Sequence, residues 1–169
     1  VLPPEQMRVA TVNHGLRIAA VAEAAFVARL CARLGIEHTT LEIEDLANGA
    51  NLQARARAAR YQALADWAND TGIVCVAVGH TKTDVAETFL LRLARGSGTK
   101  GLSAMEFARE DRGITWLRPL MDTTREDLQA ELRDQSQTWC EDPSNSDTSF
   151  DRVKMRHALP QLAELGLSV

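Results

Sequence analysis

Segments with strand-like and helix-like patterns alternate along this sequence, and that alternation limits its fold more than any other feature. The clearest strand pattern is IVCVAVGH at 73–80, a continuous apolar run typical of a strand buried on both faces of a parallel sheet. Segments with apolar residues at helical spacing flank it at 51–72 and 83–98. Strands that alternate with helices of about 15 residues form βα units. The sequence therefore predicts an α/β fold, with an open parallel sheet and flanking helices.

The remaining segments fit the same pattern. Further strands are predicted at 7–14, 38–44 and 114–120, and further helices at 19–35, 123–136 and 150–166. Thr123 and Glu126 have the spacing of a capping box at the start of one helix. Pro160 is expected to break the last one. We predict a single domain over 1–169, with a C-terminal helical extension over about 140–169.

Composition is that of a globular protein without a membrane segment. Apolar residues make up 45% and charged residues 25% of the sequence, and no apolar run approaches the roughly 20 residues that cross a bilayer. Cys31, Cys75 and Cys140 form no C-x-x-C pair, so the sequence contains neither a zinc knuckle nor a redox pair. We expect a cytoplasmic protein with no membrane partner, whose thiols are buried or incidental.

The charge distribution suggests a local anion site on a chain that is acidic as a whole. The net charge is −4, which argues against a general polyanion binder. Basic residues nevertheless concentrate in three stretches with few or no acids, at 51–60, 92–101 and 151–157. Solvated helix faces explain such stretches equally well, so charge alone leaves both interpretations open.

Polar residues follow two of the predicted strands at the point where each strand ends. Asn13, His14 and Gly15 end the first strand, and Gly79 and His80 end the third. Because ligands bind outside the carboxyl ends of the strands in an open parallel sheet, we expect both segments at one edge. Glycine at these positions lets a ligand approach the backbone closely. The two histidines are candidate site residues, with a structural role as the alternative for each.

Two carboxylates begin the next predicted helix. Asp84 and Glu87 are three residues apart in its predicted first turn, so they share one face. A structural explanation is available, because acidic residues at a helix N-terminus complement the helix dipole. Paired carboxylates can also hold Mg²⁺, or accept an ammonium group and take a proton from it. The D-x-x-E spacing by itself does not separate these roles.

Arginines on the preceding predicted helix are candidates for binding an anion. Arg57 and Arg60 share a face at spacing i, i+3, and Arg55 lies on the same helix. The planar guanidinium suits phosphate because it can donate two hydrogen bonds at once. The GSG at 96–98 is then either a helix stop or a flexible loop beside a phosphate chain.

Several stretches of the sequence match a known pattern. Two are long and specific, GHTKTDVAETFLLRLARGSGTKGLSAM at 79–105 and WCEDPSNSDTSFDRVKMRH at 139–157. Three are short, VNHGLR at 12–17, NLQARARAARY at 51–61 and LRPL at 117–120. In order over about residues 7–160, they resemble the tRNA(Ile)-lysidine synthetase family of N-type ATP pyrophosphatases, the PP-loop proteins.

The resemblance implies an adenine nucleotide α-hydrolase-like fold and a defined reaction. Such an enzyme uses ATP and Mg²⁺ to adenylate the C2 oxygen of the wobble cytidine in tRNA(Ile), and it releases pyrophosphate. The ε-amine of free L-lysine then attacks C2 and displaces AMP, which gives lysidine. The implied partners are tRNA(Ile) with a CAU anticodon and free L-lysine. For the oligomeric state, we consider a homodimer.

The resemblance also implies roles for individual residues. Asp84 and Glu87 fall on the family's acidic pair, assigned to lysine or Mg²⁺, with Asp84 as the metal candidate. Arg60 and Arg152 fall on basic positions expected to meet phosphate or substrate, and these four are the predicted catalytic residues. Contacts to the cofactor are predicted for His14, Gly79 and His80, and contacts to substrate or tRNA for Arg55, Arg57 and Arg156.

Two features depart from the family pattern. The family usually has two acids in a row before the glutamate, whereas here Thr83 replaces one of them and Lys82 stands nearby. The family's S-G-G-x-D-S loop, whose backbone N–H groups hold pyrophosphate, does not occur in the 169 residues. The fold is therefore expected to be incomplete at its N-terminus, and this chain alone is expected to bind ATP weakly.

Two alternatives stay open, one of them an enzyme and the other from a different functional class. A tRNA thiolase of the same superfamily ranks lower, because thiolases of related architecture generally use cysteine pairs. A non-catalytic remnant that binds tRNA or a nucleotide is the other.

Overall fold

The structure, a computed structural model, describes residues 3–15, 19–43, 52–103, 105–141, 148 and 151–167. The strands are β1 (Arg8–Asn13), β2 (Glu37–Glu42), β3 (Cys75–Ala77), β4 (Ala108–Asp111) and β5 (Ile114–Leu117). The helices are α1 (Ala19–Leu34), α2 (Leu52–Asp70), α3 (Lys82–Ala94), α4 (Thr99–Leu102), α5 (Arg125–Asp134) and α6 (Asp151–Glu164), and a 3-10 turn covers Pro4–Gln6. The α/β alternation with parallel strand pairing that the sequence predicts is confirmed.

The chain divides into two compact units. The first contains Val1–Val74 and Asp111–Ile114, and the second contains Cys75–Glu110 and Thr115–Val169. Two units of this size can belong to one domain, so the prediction of a single domain over 1–169 stays a prediction. No helix in the described part of the chain has the length and apolar character needed to cross a membrane.

The first unit is built on a two-stranded parallel sheet. β1 pairs with β2 in a register that sets Arg8 beside Glu37 and Asn13 beside Glu42. α1 connects the two strands and packs on both, while α2 packs against β1. Most of the buried positions on these helices carry small side chains, which bring a helix close to its neighbours: Ala24, Cys31, Ala56, Ala65 and Ala68.

The second sheet has the strand order β3-β5-β4. β3 and β5 are parallel, with Cys75 beside Thr115 and Ala77 beside Leu117. β4 reaches β5 through a two-residue turn, Arg112–Gly113, whose φ angles of 56° and 75° suit the type I′ turn that joins antiparallel strands. The sequence pattern missed β4 because its residues, ARED, are mostly polar and exposed, so hairpin pairing rather than apolar alternation specifies the strand.

The prediction for the 73–80 strand was wrong in extent and burial. The strand covers only Cys75–Ala77, and Val76 is its one buried residue. Val74, which precedes it, is 74% exposed. The strand is exposed because, among the described strands, β3 lies at the edge of its sheet and pairs with β5 alone. A continuous apolar run therefore did not guarantee a strand buried on both faces.

The capping box predicted for α5 is displaced by one residue. Thr124, not Thr123, is the N-cap, and its Oγ1 accepts a hydrogen bond from the backbone N–H of Asp127 at 3.1 Å. The Asp127 Oδ2 in turn accepts from the Thr124 backbone N–H at 3.1 Å. Two threonines and two acids stand side by side here, so the sequence spacing fitted either register.

The predicted break at Pro160 is also wrong. α6 continues through Pro160 to Glu164. The side-chain contacts that hold α6 come from Asp151, Arg152 and Arg156, upstream of the proline. The backbone hydrogen bond that Pro160 cannot donate is therefore missing only in the part of α6 that follows these contacts.

The capping box of α5 gives a pH-dependent test of these contacts. Hydrogen bonds from the Thr124 side chain and backbone hold the pKa of Asp127 below its ordinary value of 3.8. A carboxyl whose pKa is lowered on folding adds stability above the unfolded pKa and loses it as the pH falls through the folded pKa. We expect Thr124→Ala to lower the Tm at pH 7 and to lower it less at pH 3, by thermal unfolding followed with circular dichroism. An equal loss at both pH values would contradict this account.

Candidate functional site

The N-terminus of α3 is fixed by a capping box that uses one of the predicted site carboxylates. Thr81 is the N-cap, and the Asp84 Oδ2 accepts hydrogen bonds from its backbone N–H at 2.9 Å and its hydroxyl at 2.8 Å. Asp84 is only partly buried. Asp84 therefore has a structural role as part of the helix cap, and any catalytic role would be additional.

Glu87 is fully buried and lies one turn further along α3 than the sequence predicted. It belongs to the second turn of α3 rather than the first, and its residue exposure is 0%. The Arg156 Nε of α6 donates a hydrogen bond to the Glu87 Oε1 at 2.7 Å, forming an ion pair. The Glu87 Oε2 is buried and accepts no hydrogen bond from any described residue. A charged side chain that is fully buried needs such a partner, which explains the pairing.

A second arginine of α6 also reaches α3. The Arg152 Nη2 donates to the Thr88 Oγ1 at 3.2 Å. Arg95, just after α3, lies 3.9 Å from Asp151 in a more exposed ion pair. The structure thus brings Arg152 and Arg156 of α6 against the helix that carries Asp84 and Glu87. Sequence reasoning missed Thr88, because nothing in the sequence relates it to a residue 64 positions away.

In the first unit, the end of β1 meets α2. The Gly15 N–H bonds to the Asn13 Oδ1 at 3.1 Å, and Gly15 has a φ of 65°, which favours glycine. The Arg60 Nε donates to the His14 Nε2 at 3.4 Å. Burial first, and then the positive charge of Arg60, lower the pKa of His14 below its ordinary value of 6.5. The imidazole is therefore neutral at pH 7, with Nδ1 carrying the proton.

The proton on His14 has no acceptor in the described part of the chain, since Nδ1 is buried and makes no hydrogen bond. A buried N–H without a partner is costly, so it is a candidate for contacting a ligand. This agrees with the sequence prediction that His14 contacts the cofactor, although that prediction itself is untested.

The other predicted residues occupy less specific surroundings. Arg57 is exposed, and its guanidinium lies over the Tyr61 ring at 5.0 Å from the ring centre. Arg55 is also exposed. Gly79 and His80 lie in the segment between β3 and α3, and a side chain added at Gly79 would meet nothing within 4 Å.

The predicted site residues therefore fall into two groups. His14 and Arg60 contact each other in the first unit, whereas Glu87, Arg152 and Arg156 gather at the α3–α6 contact in the second. A shared pocket for both groups, and the meeting of the β1 and β3 ends at one edge, stay predictions. Most of the W-x-x-D-P-S-N motif at 139–145, namely 142–145, lies outside the described residues.

No cluster in the described part of the chain has the makeup of a complete metal site, judged by three or more His, Cys, Asp or Glu side chains. The three cysteines are free thiols; Cys31 is buried, and Cys75 and Cys140 are exposed. A metal at Asp84 would need most of its ligands from elsewhere.

The His14–Arg60 contact makes a titration prediction. Arg60→Gln removes the nearby positive charge, so the pKa of His14 is expected to rise, while burial keeps it below 6.5. Arg57→Gln, on the same helix but stacked on Tyr61, is the matched control and leaves the pKa of His14 unchanged. Imidazole signals followed by NMR across pH 4 to 8 measure both, and a His14 titration that Arg60→Gln does not move would contradict the contact.

Comparisons with known proteins agree with this architecture. A solved structure, the U34-tRNA thiolase NcsA from Methanococcus maripaludis with its [4Fe-4S] cluster, superposes with a TM-score of 0.76 at 15% identity, covering 93% of this chain and 56% of that one. At that identity the likeness shows the fold alone. The predicted nucleotide α-hydrolase-like fold class is thus confirmed.

Curated relatives are much more similar in sequence. The tRNA(Ile)-lysidine synthase of Ruegeria pomeroyi is 47% identical over 94% of this chain, and that of Bradyrhizobium diazoefficiens is 44% identical over 95%. The synthase of Methylobacterium nodulans is 42% identical over 99%. The chain spans 38%, 45% and 50% of the length of these three proteins. The resemblance seen in the sequence motifs is confirmed. The PP-loop domain model matches residues 3–163, nearly the whole chain, and this protein therefore belongs to the PP-loop domain family.

Proposed function

We propose that the protein to which this chain belongs is a tRNA(Ile)-lysidine synthase, a ligase that converts the wobble cytidine of tRNA(Ile) to lysidine. The observation that carries the proposal is 47% identity to such a synthase over 94% of the chain. Since the chain spans only part of each relative, its substrates and partners are proposed with the activity. They are ATP, tRNA(Ile) with a CAU anticodon and free L-lysine. These substrates are cytoplasmic, and we propose that the protein acts there.

The reaction sets two demands on the protein. In the first step the C2 oxygen of cytidine attacks the α-phosphate of ATP, and the bond to pyrophosphate breaks. In the second step the lysine ε-amine attacks C2, the bond from C2 to the adenylate oxygen breaks and releases AMP, and a carboxylate takes a proton from the amine. The first step needs cations against phosphate charge, and the second needs a carboxylate that binds the amine.

Arginines on both units could meet the first demand. Arg152 is partly buried on α6 beside Thr88, and Arg60 is exposed beside His14. We propose that both contact phosphate. The neutral His14 with its buried N–H, the open space at Gly79 and the side chain of His80 are proposed contacts to the nucleotide. Arg55 and Arg57, both exposed on α2, are proposed contacts to the tRNA backbone.

The two carboxylates of α3 divide between the demands, Asp84 serving the first through a metal ion and Glu87 serving the second. Asp84 has one oxygen committed to the Thr81 cap, which holds the side chain in a fixed direction. Mg²⁺ commonly takes only one or two protein carboxylates and completes its shell with phosphate oxygens and water, so Asp84 fits a metal held mainly by ATP. Bound there, Mg²⁺ would neutralise phosphate charge. We propose Asp84 as its protein contact and Glu87 as the contact to lysine; the homodimer stays a prediction.

The thiolase alternative has one observation in its favour, the fold shared with a U34-tRNA thiolase. That enzyme is described with a [4Fe-4S] cluster, whereas here Cys31 is buried and the described residues contain no cluster of metal-ligand side chains. The coding sequence upstream of Val1 distinguishes the non-catalytic remnant from the synthase. An S-G-G-x-D-S segment encoded upstream of Val1 favours the synthase, and a translation start at Val1 favours the remnant.

The role of Asp84 can be separated from its role as a cap. α3 and α5 begin with the same T-x-x-D capping box, made by Thr81 with Asp84 and by Thr124 with Asp127. Asp84→Ala in the full-length protein is expected to reduce lysine incorporation into tRNA by at least about 100-fold, because it removes a charge from the reaction centre. Asp127→Ala, the matched control, loses an equivalent cap and keeps its activity. Equal activity in the two variants would show that Asp84 only caps α3 and has no catalytic role.

Arg152→Ala tests the adenylation step. Loss of a guanidinium that stabilises phosphate charge is expected to slow ATP-dependent pyrophosphate release by about 100-fold. Lys154→Ala is the control, because Lys154 lies on the same helix but is exposed and pairs only with Asp151 at 3.2 Å among the described residues. Pyrophosphate release at the wild-type rate in Arg152→Ala would remove this arginine from the mechanism.

A further inference from the structure

We infer that Arg156 acts in the reaction through Glu87: it is a positioning residue that holds the Glu87 carboxylate so that Oε2 receives the amine of lysine. The inference rests on the proposed function and changes one assignment, because the sequence placed Arg156 among the contacts to substrate or tRNA. It depends on the contacts between α3 and α6, which lie within one unit.

Arg156 is committed to a protein partner. Its Nε lies 2.7 Å from the Glu87 Oε1, and 26% of its side chain is exposed. If Arg156 swung out to a phosphate, it would leave a fully buried carboxylate without its counter-charge, and buried pairs resist that separation strongly. Arg156 is therefore a poor candidate for a tRNA contact that forms and breaks in each catalytic cycle.

The Glu87 carboxylate is only half satisfied. Oε1 accepts the hydrogen bond from Arg156, while Oε2 is buried and accepts none among the described residues. A buried carboxylate oxygen without a donor is unusual in a folded protein and points to a group that is supplied on binding. With Oε1 occupied, a bound group can approach through Oε2 only.

An amine suits Oε2 better than a metal ion does. The guanidinium on the other oxygen already neutralises the carboxylate and would repel a divalent cation more strongly than a group with one charge or none. The described residues around it also contain no cluster of further metal ligands. A primary amine needs only one acceptor and brings its own N–H, which is what Oε2 lacks.

Contacts on both sides keep the carboxylate in place. The start of α3 is fixed by the Thr81–Asp84 capping box. α6 is held to α3 by the Arg152 hydrogen bond to Thr88, at 3.2 Å, as well as by Arg156 itself. The direction of Oε2 is therefore set by two helices, as a site that orients a nucleophile requires.

The test compares variants of the full-length protein at the two ion pairs that join the α3 region to α6. Arg156→Gln and Arg156→Lys are expected to raise the KM for lysine at least tenfold and to leave ATP-dependent pyrophosphate release within twofold of wild type. Arg156→Lys keeps the charge and should fold even if Arg156→Gln does not. Arg95→Gln breaks the exposed pair with Asp151 and is expected to change neither quantity.

A double variant separates a role of the Glu87–Arg156 pair in lysine binding from a purely structural role. Arg156→Gln leaves a buried charge unpaired and lowers the Tm, whereas Glu87→Gln combined with Arg156→Gln removes both charges and is expected to restore the Tm. If Arg156 positions a lysine-binding carboxylate, the double variant keeps a KM for lysine at least tenfold above wild type. Recovery of both the Tm and the KM would show a structural pair and overturn the inference.

Failure of the inference and failure of the proposed function have different signatures. A wild-type protein that forms lysidine, with an unchanged KM for lysine in both single variants, overturns the inference alone. A wild-type protein that neither forms lysidine nor binds lysine in a calorimetric titration overturns the proposed function, and the inference with it.

Discussion

The ion pair between Glu87 and Arg156 is the contact on which the second unit depends. A carboxylate with 0% exposure is tolerable only with a counter-charge at hydrogen-bond distance, and Arg156 supplies it from a helix 69 residues further along the chain. The pair therefore ties α6 to α3. It also sets which face of α6 meets α3, and Arg152, one turn earlier on α6, consequently lies beside Thr88. A helix that the sequence presented as an extension becomes part of the candidate site.

The two capping boxes show why local motifs do not reveal chemistry. Thr81 with Asp84 and Thr124 with Asp127 make the same hydrogen bonds at the starts of α3 and α5. Only the first is followed, one turn later, by a buried glutamate paired with an arginine. What separates a cap from a candidate catalytic turn is thus the set of distant residues packed beside it.

In the first unit, burial and a nearby charge keep a side chain uncharged, whereas the second unit holds a buried pair of opposite charges. At the end of β1, burial and the charge of Arg60 lower the pKa of His14 and keep its imidazole neutral. Its hydrogen bond from Arg60 fixes the proton on the other nitrogen. A neutral donor and a fixed cation at the end of a strand are complementary to a base and a phosphate, which is why both residues are proposed as contacts to ATP.

The sequence by itself determined the α/β class, the order of most helices and strands, and the family. Helix ends such as Gly35 and Gly72, both at positive φ, follow from local backbone preferences that a sequence displays directly. The motifs at 79–105 and 139–157 carried the family resemblance for a similar reason, since each is a contiguous stretch of the chain. Tertiary structure alone decided burial and partners. The apolar β3 became an exposed edge, the polar β4 was completed by its hairpin, and Glu87 was buried against Arg156. Periodicity records what neighbours along the chain require, whereas burial and ion pairing depend on residues that only folding brings together.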